Sequence, residues 1–212
     1  MERYFGTYQT FQTASKKEAA DLIGADNLVG DRYRIECTIE EGEQRAWLVN
    51  KFGRRVGYFD PSFSRELSIM QAQEMSLVAL LSFVAFTDHP EPGFYWGEAA
   101  VMGFDPSLLA SIEPFISQVA SSLKKAVRPV VDLQGSAVDQ MISSQGSWLP
   151  KDTVPFPAPE KGTAILKNHQ SITDRLVEET RKGNKGCYIA SWAFLLALVA
   201  AALFGLKSCG LF

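Results

Sequence analysis

The sequence lacks the short motifs by which many enzymes and metal proteins are identified. A nucleophile elbow, a phosphate-binding loop, a dinucleotide fingerprint and a zinc-protease motif are all missing. The three cysteines form no Cys-x-x-Cys pair, so neither a disulfide framework nor a thiolate metal site is indicated. His89 and His169, the two histidines, have no metal-ligating neighbour three or four residues away. We therefore expect no metal and no cofactor, and no residue is predicted to be catalytic.

Positive charge is scarce in the larger part of the chain. Residues 1–150 contain 13 Lys and Arg against 19 Asp and Glu, a net charge of −6. Residues 151–185 contain 7 Lys and Arg against 5 Asp and Glu, a net charge of +2. Nucleic-acid phosphates are bound mostly by lysine and arginine, so an acidic domain is a poor partner for a phosphate backbone.

A signal peptide is not indicated, because no basic segment followed by an apolar run stands near Met1. The one long apolar run is residues 186–206, which contain neither charge nor proline. As a helix this run would be roughly 31 Å long, close to the ~30 Å hydrocarbon thickness of a bilayer. We predict a single transmembrane helix there. The alternative, a buried helix of a soluble protein, would need a large surrounding core.

Basic residues beside this run predict its orientation. Arg181, Lys182 and Lys185 precede it, whereas Lys207 alone follows it. By the positive-inside rule we expect the N-terminal domain to be cytoplasmic and the short C-terminus to lie on the far side. This arrangement describes a tail-anchored, single-pass membrane protein.

Small residues recur at every fourth position of the predicted span, which lets two helices approach closely. They are Ala193, Ala197, Ala201 and Gly205. The pattern favours a homodimer through the transmembrane helix.

Local patterns predict an α+β cytoplasmic domain over residues 1–128. Ser15 and Glu18 have the spacing of a capping box at the start of a helix over 16–23. Asp60 and Pro61 begin a second helix that ends near Gln73. Strands are predicted at 32–40, 46–49, 55–59, 75–86 and 94–104. An amphipathic helix is predicted at 107–127, and Pro114 is expected to break or kink it near Glu113.

Two segments leave alternatives open. Residues 75–86 are almost entirely apolar, and periodicity cannot separate a buried strand from a continuation of the preceding helix. Residues 129–162 are interpreted as a proline-rich linker, and one short helix within it is left open as an alternative. Residues 163–185 are predicted to form a stalk helix and a basic juxtamembrane segment.

The order of motifs within residues 32–104 resembles a HIRAN-type small β-barrel. Two strands precede the stretch RVGYFDP at 55–61, and a short helix containing Arg65, Glu66 and Leu67 follows it. The resemblance implies a curved antiparallel sheet of about five strands and binding of single-stranded DNA ends. The Asn-Pro-x-Asp stretch of that family has no counterpart at 40–46, so no binding residue is carried over.

Four residues are candidates for ligand binding. Arg54 and Arg55 at a hairpin tip could hold an anion, although a solvated turn is the simpler interpretation. His89 lies in a proline-rich turn, where an exposed loop histidine is the simpler interpretation. Trp96 and its aromatic neighbours could line a groove or pack into the core.

We therefore predict a membrane-tethered cytoplasmic interaction module for an unknown protein or small-ligand partner. The alternative is a HIRAN-like nucleic-acid-binding domain anchored at a membrane. An enzyme without a recognised motif is the third hypothesis.

Overall fold

A computed structural model describes residues 3–181 together with Phe194 and Leu196. The strands of the described part are β1 Tyr4–Gln12, β2 Arg32–Glu40, β3 Glu43–Val49, β4 Arg55–Phe59, β5 Ser76–Thr87, β6 Phe94–Phe104 and β7 Thr163–Lys167. Its α-helices are α1 Lys16–Ile23, α2 Pro61–Ala72, α3 Leu109–Leu123, α4 Gly135–Ser143 and α5 Ile172–Arg181. A 3₁₀ turn over Pro106–Leu108 leads into α3.

Six antiparallel strands close into a small barrel. Their order is β2-β3-β4-β1-β6-β5, and β2 pairs with β5 to complete the ring. The seventh strand, β7, also pairs with β5, beyond a register shift between Leu81 and Phe83. One edge of β5 is thus shared by β2 and β7. The fold is α+β with a small barrel, as the sequence predicted, although more strands take part than the five expected.

The chain buries two hydrophobic clusters on opposite faces of the barrel wall. One joins Leu48, Val56 and Phe59 of the barrel to Leu67 of α2 and Leu22 of α1. The other packs β1, β5 and β6 against α3 and α4; its members include Tyr4, Leu80, Met102, Phe115, Val119 and Met141. Because β5 is covered on both faces, its sequence is apolar throughout rather than alternating. The segment 75–86 is therefore a strand, not a continued helix.

Several predicted boundaries are confirmed because local chemistry determines them. Glu18 N donates to Ser15 Oγ at the start of α1, and Phe63 N donates to Asp60 Oδ1 at the start of α2. The predicted bounds of β2, β4 and β6 are those observed.

Other predictions are corrected. The helix expected over 107–127 ends at Leu123, and it continues through Pro114. The stalk helix expected from Thr163 begins only at Ile172, because residues 163–167 form β7 on the free edge of β5. No element was predicted for residues 4–12, which form β1 between β4 and β6.

The chain divides into two units, residues 1–170 and residues 171–212. The first contains the barrel, both buried clusters and the segment 129–162, so we expect it to fold by itself. Within residues 3–181, no helix combines the length and the apolar composition needed to cross a bilayer. Apart from Phe194 and Leu196, the predicted span 186–206 lies outside the described residues. So do its small-residue pattern (Ala193, Ala197, Ala201, Gly205) and the orienting Lys182 and Lys185.

Candidate functional site

A groove of about 610 Å³ lies on the outer face of the barrel wall. Strand register shows how it is built. Gln12 of β1 is opposite both Tyr58 of β4 and Trp96 of β6. Thr87 of β5 is opposite Thr163 of β7. Residues directly opposite one another project from the same face of a sheet, so these side chains line one surface across five strands.

Two loop segments form the sides of the groove. Pro157, Ala158, Pro159 and Glu160 line it from the segment that precedes β7. His89 and Pro90 line it from the connection between β5 and β6. Residues 157–160 are exposed and belong to no helix or strand.

The Trp96 ring is held in one orientation. Its Nε1 donates to Thr87 Oγ1 at 2.9 Å, and that hydroxyl lies 3.0 Å from Thr163 Oγ1. The ring also meets Phe83 edge to face, with centroids 5.5 Å apart. The groove therefore presents a preformed aromatic surface, and binding does not have to order this side chain.

The charge of the groove is negative. Asp60 and Glu160 line it, and none of its lining residues is lysine or arginine. Asp60 is held at the start of α2, where its Oδ2 accepts from Gln9 Nε2 at 3.1 Å. Glu160 is exposed at the rim. This site favours neutral or positively charged ligands over phosphates.

A buried arginine fixes the segment that forms the groove's outer side. Arg128 forms an ion pair with Glu98 of β6, and its side chain is only 2% exposed. Its Nη1 donates to Pro155 O at 2.6 Å, and its guanidinium lies 5.1 Å from the centroid of the Phe156 ring. Burial lowers the pKa of Arg128, an effect that the nearby Tyr8 opposes. The contacts hold residues 155 and 156 against the barrel.

The structure separates the four predicted ligand residues. His89 and Trp96 both line the groove. Arg54 instead pairs with Asp21, at 3.0 Å, and with Asp26.

Arg55 is also held by carboxylates outside the groove. It pairs with Glu40 at 3.0 Å and Glu36 at 3.4 Å, and its guanidinium lies 4.9 Å from the Trp47 ring centroid. Two of the four candidates thus share a site, and the two arginines belong to separate surface ion pairs.

His89 is not part of an assembled acid–base pair. Its Nε2 lies 4.0 Å from Asp88 Oδ1, beyond hydrogen-bonding distance, and its side chain is 78% exposed. Among the described residues, no three His, Cys, Asp or Glu side chains are grouped to hold a metal ion.

Sequence reasoning did not single out Tyr58, Asp60 or the prolines at 157 and 159 as parts of a site. Asp60 was noted only as a helix cap, and the prolines only as linker residues. The aromatic and proline composition was visible in the sequence, but nothing local indicated that these segments meet. No family model, curated protein or solved structure matches the chain.

Proposed function

We propose that the chain is a membrane-tethered binding module whose groove takes an extended, apolar peptide segment carrying lysine or arginine. The observation that supports this function is the lining of the groove: aromatic rings, prolines and two carboxylates, with no lysine or arginine among the lining residues.

Aromatic and proline surfaces suit extended peptides for a physical reason. A proline-rich ligand is already close to its bound conformation, so it loses little entropy when it docks on aromatic rings. A cationic side chain gains further from the ring faces and from carboxylates such as Asp60 and Glu160. The groove's volume lies within the range of sites that bury compact ligands.

The tether is the second part of the proposal. Residues 186–206 have the length and apolarity of a transmembrane helix, and more basic residues precede them than follow them. A tethered module meets partners at the same membrane at a raised effective concentration. A groove of modest affinity then suffices to hold them.

Selection from a displayed library of random decapeptides on immobilised residues 1–170 tests the groove. We expect enrichment of peptides that combine proline or aromatic residues with lysine or arginine, and depletion of Asp and Glu. Phe94→Ala and Glu160→Lys should each weaken binding of an enriched peptide about tenfold, because each changes one wall of a small site.

Matched controls exist on the same barrel. Phe52→Ala removes an exposed phenylalanine, and Glu43→Lys reverses an exposed carboxylate, in both cases outside the groove. Binding should be unchanged in both. Enrichment of acidic peptides, or equal weakening by groove variants and controls, would contradict the proposed site.

Single-stranded DNA binding is the second candidate function. It is supported by the closed barrel and by the RVGYFDP stretch, which forms β4 and begins α2. Its prediction is retention of residues 1–170 on single-stranded DNA, with affinity that falls steeply as salt rises. The negative lining of the groove favours the peptide instead.

A further inference from the structure

A second depression, of about 340 Å³, lies beside the β3–β4 turn and has the opposite charge. Arg32, Arg34 and Lys51 line it. Arg32 and Arg34 are two residues apart on β2 and therefore project from the same face. Arg34 is opposite Val49 at the end of β3, which brings the turn residue Lys51 to the same place.

The cations of this depression are only partly neutralised. Arg32 pairs with Glu113 at 2.6 Å, an exposed ion pair that solvent weakens. Within the described part of the chain, Arg34 and Lys51 form no ion pair, and no carboxylate lines the depression. Three like charges around one concave surface create a positive potential that an anion relieves.

An exposed aromatic ring stands at the same turn. Phe52 is 51% exposed, and Lys51 Nζ lies 5.4 Å from its ring centroid. A Cβ added at Gly53, whose φ is +77°, would meet no atom within 4 Å. The Arg54 guanidinium also lies 5.8 Å from the centroid of the Phe52 ring. Cations beside an exposed phenylalanine are the combination that binds the headgroup region of a bilayer.

We propose that this depression binds the phosphate groups of anionic lipid headgroups. The choice of a lipid surface as occupant draws on the proposed tether, whereas the site itself is separate from the groove. Electrostatic attraction holds Arg34 and Lys51 at the headgroups, and Phe52 inserts between them.

Cosedimentation of residues 1–170 with vesicles tests the proposal without the predicted span. Vesicles of phosphatidylcholine mixed with phosphatidylserine should bind the fragment, and vesicles of phosphatidylcholine alone should not. The double variant Arg34→Ala/Lys51→Ala should lower the partition coefficient about thirtyfold, since each basic residue near such a surface contributes about fivefold. Raised salt should weaken binding of the unaltered fragment.

A matched double variant distinguishes an effect of the depression from an effect of the fragment's net charge. Arg65→Ala/Lys151→Ala removes two exposed cations that lie outside the depression, and it should bind vesicles like the unaltered fragment. Melting temperatures of both double variants should match that of the unaltered fragment, which shows that folding is retained. Equal losses in both double variants, or equal binding to the two kinds of vesicle, would overturn the proposal.

Two further experiments distinguish a lipid headgroup from a free anion and from nucleic acid as the source of phosphate. Binding of inorganic phosphate that depends on Arg34 and Lys51, without binding to phosphatidylserine vesicles, would assign the site to a free anion and overturn the lipid proposal. Retention on single-stranded DNA that depends on Arg34 and Lys51, without vesicle binding, would overturn it too. Because the groove lies elsewhere, the variant Arg34→Ala/Lys51→Ala should bind a groove peptide as the unaltered fragment does. If no peptide binds the groove, the vesicle experiment still tests the lipid site by itself.

Discussion

Arg128 is a buried charge whose partners connect two distant segments. It joins Glu98 on β6 to Pro155 O, and its Nε has no hydrogen-bond partner in the described part of the chain. Removing one member of a buried ion pair leaves the other charge without compensation. We expect Glu98→Gln or Arg128→Met to lower the free energy of unfolding of residues 1–170 by about 3 kcal/mol, measured in urea.

The double variant Glu98→Gln/Arg128→Met is the control for this pair. It leaves no unpaired charge, so its free energy of unfolding should lie well above the value that the summed single losses predict. Strict additivity, or single losses below about 1 kcal/mol, would show that the pair does not hold the segment.

Glu40 predicts a pH dependence of stability. Burial raises its pKa, but hydrogen bonds from Trp47 and Thr38 and the charges of Arg45 and Arg55 together hold the pKa below its ordinary value. A carboxylate with a lowered folded-state pKa stabilises the fold above its unfolded pKa of about 4.3, and this contribution is lost as pH falls through the folded-state pKa.

The variant Glu40→Gln should therefore be less stable than the unaltered protein at pH near neutrality, by at most about 1 kcal/mol because solvent screens the site. The difference should shrink as the pH falls below ~4. Urea unfolding across this range measures it. A difference that grows toward acid pH would mean that the sign of the pKa shift is wrong.

At the scale of elements, β7 is held by the side chain of its last residue as well as by its pairing with β5. Lys167 Nζ donates to Gly24 O at 2.8 Å and to Asn27 O at 3.0 Å, where the chain leaves α1. Lys167→Met removes these bonds, including the donor to the carbonyl of the buried Asn27, a cost of about 2 kcal/mol.

The amide hydrogens of β7 should then exchange about thirtyfold faster in the Lys167→Met variant, while those of β3 keep their rates. Hydrogen exchange followed by mass spectrometry resolves the two segments. The exposed Lys161, in the turn that precedes β7, provides the matched Lys161→Met control. Equal acceleration in β3 would indicate global destabilisation instead of release of one strand.

Elements with a local signal were predictable from the sequence, and those that depend on distant pairing were not. Alternating residues in β2 and the caps of α1 and α2 set their own boundaries. The segment TAILK was predicted as helix because it is short and compatible with both helix and strand. It forms the strand β7 because it pairs with the free edge of β5. β1 gained its structure from two long-range ladders.

The candidate site was predictable only in fragments for the same reason. Trp96 was noted because aromatic residues cluster around it, and His89 because its loop is rich in prolines. The groove exists because β1 lies between β4 and β6, which brings Tyr58 opposite Gln12. Arg54 and Arg55 seemed free in the sequence because their carboxylate partners are at least 15 residues away along the chain.

At the scale of the whole molecule, the chain carries a folded barrel and a proposed membrane anchor. The full chain should sediment with membranes from a detergent-free lysate, resist extraction by high salt or alkaline carbonate, and dissolve in detergent. A variant without residues 186–206 should remain in the supernatant and retain groove binding. Recovery of the full chain in the supernatant would contradict the tether and leave the groove intact as a proposal.

The central claim is that the outer-face groove is the site where a peptide binds. Titration of an enriched basic, proline-containing peptide into isotope-labelled residues 1–170, followed by nuclear magnetic resonance, tests it most directly. We predict that the Trp96 indole N–H and the amides of Gln12, Thr87 and Thr163 shift together with one affinity, and that Glu160→Lys raises the dissociation constant measured from these shifts about tenfold. Shifts confined to residues outside the groove, or an unmoved Trp96 indole at saturation, would contradict the claim.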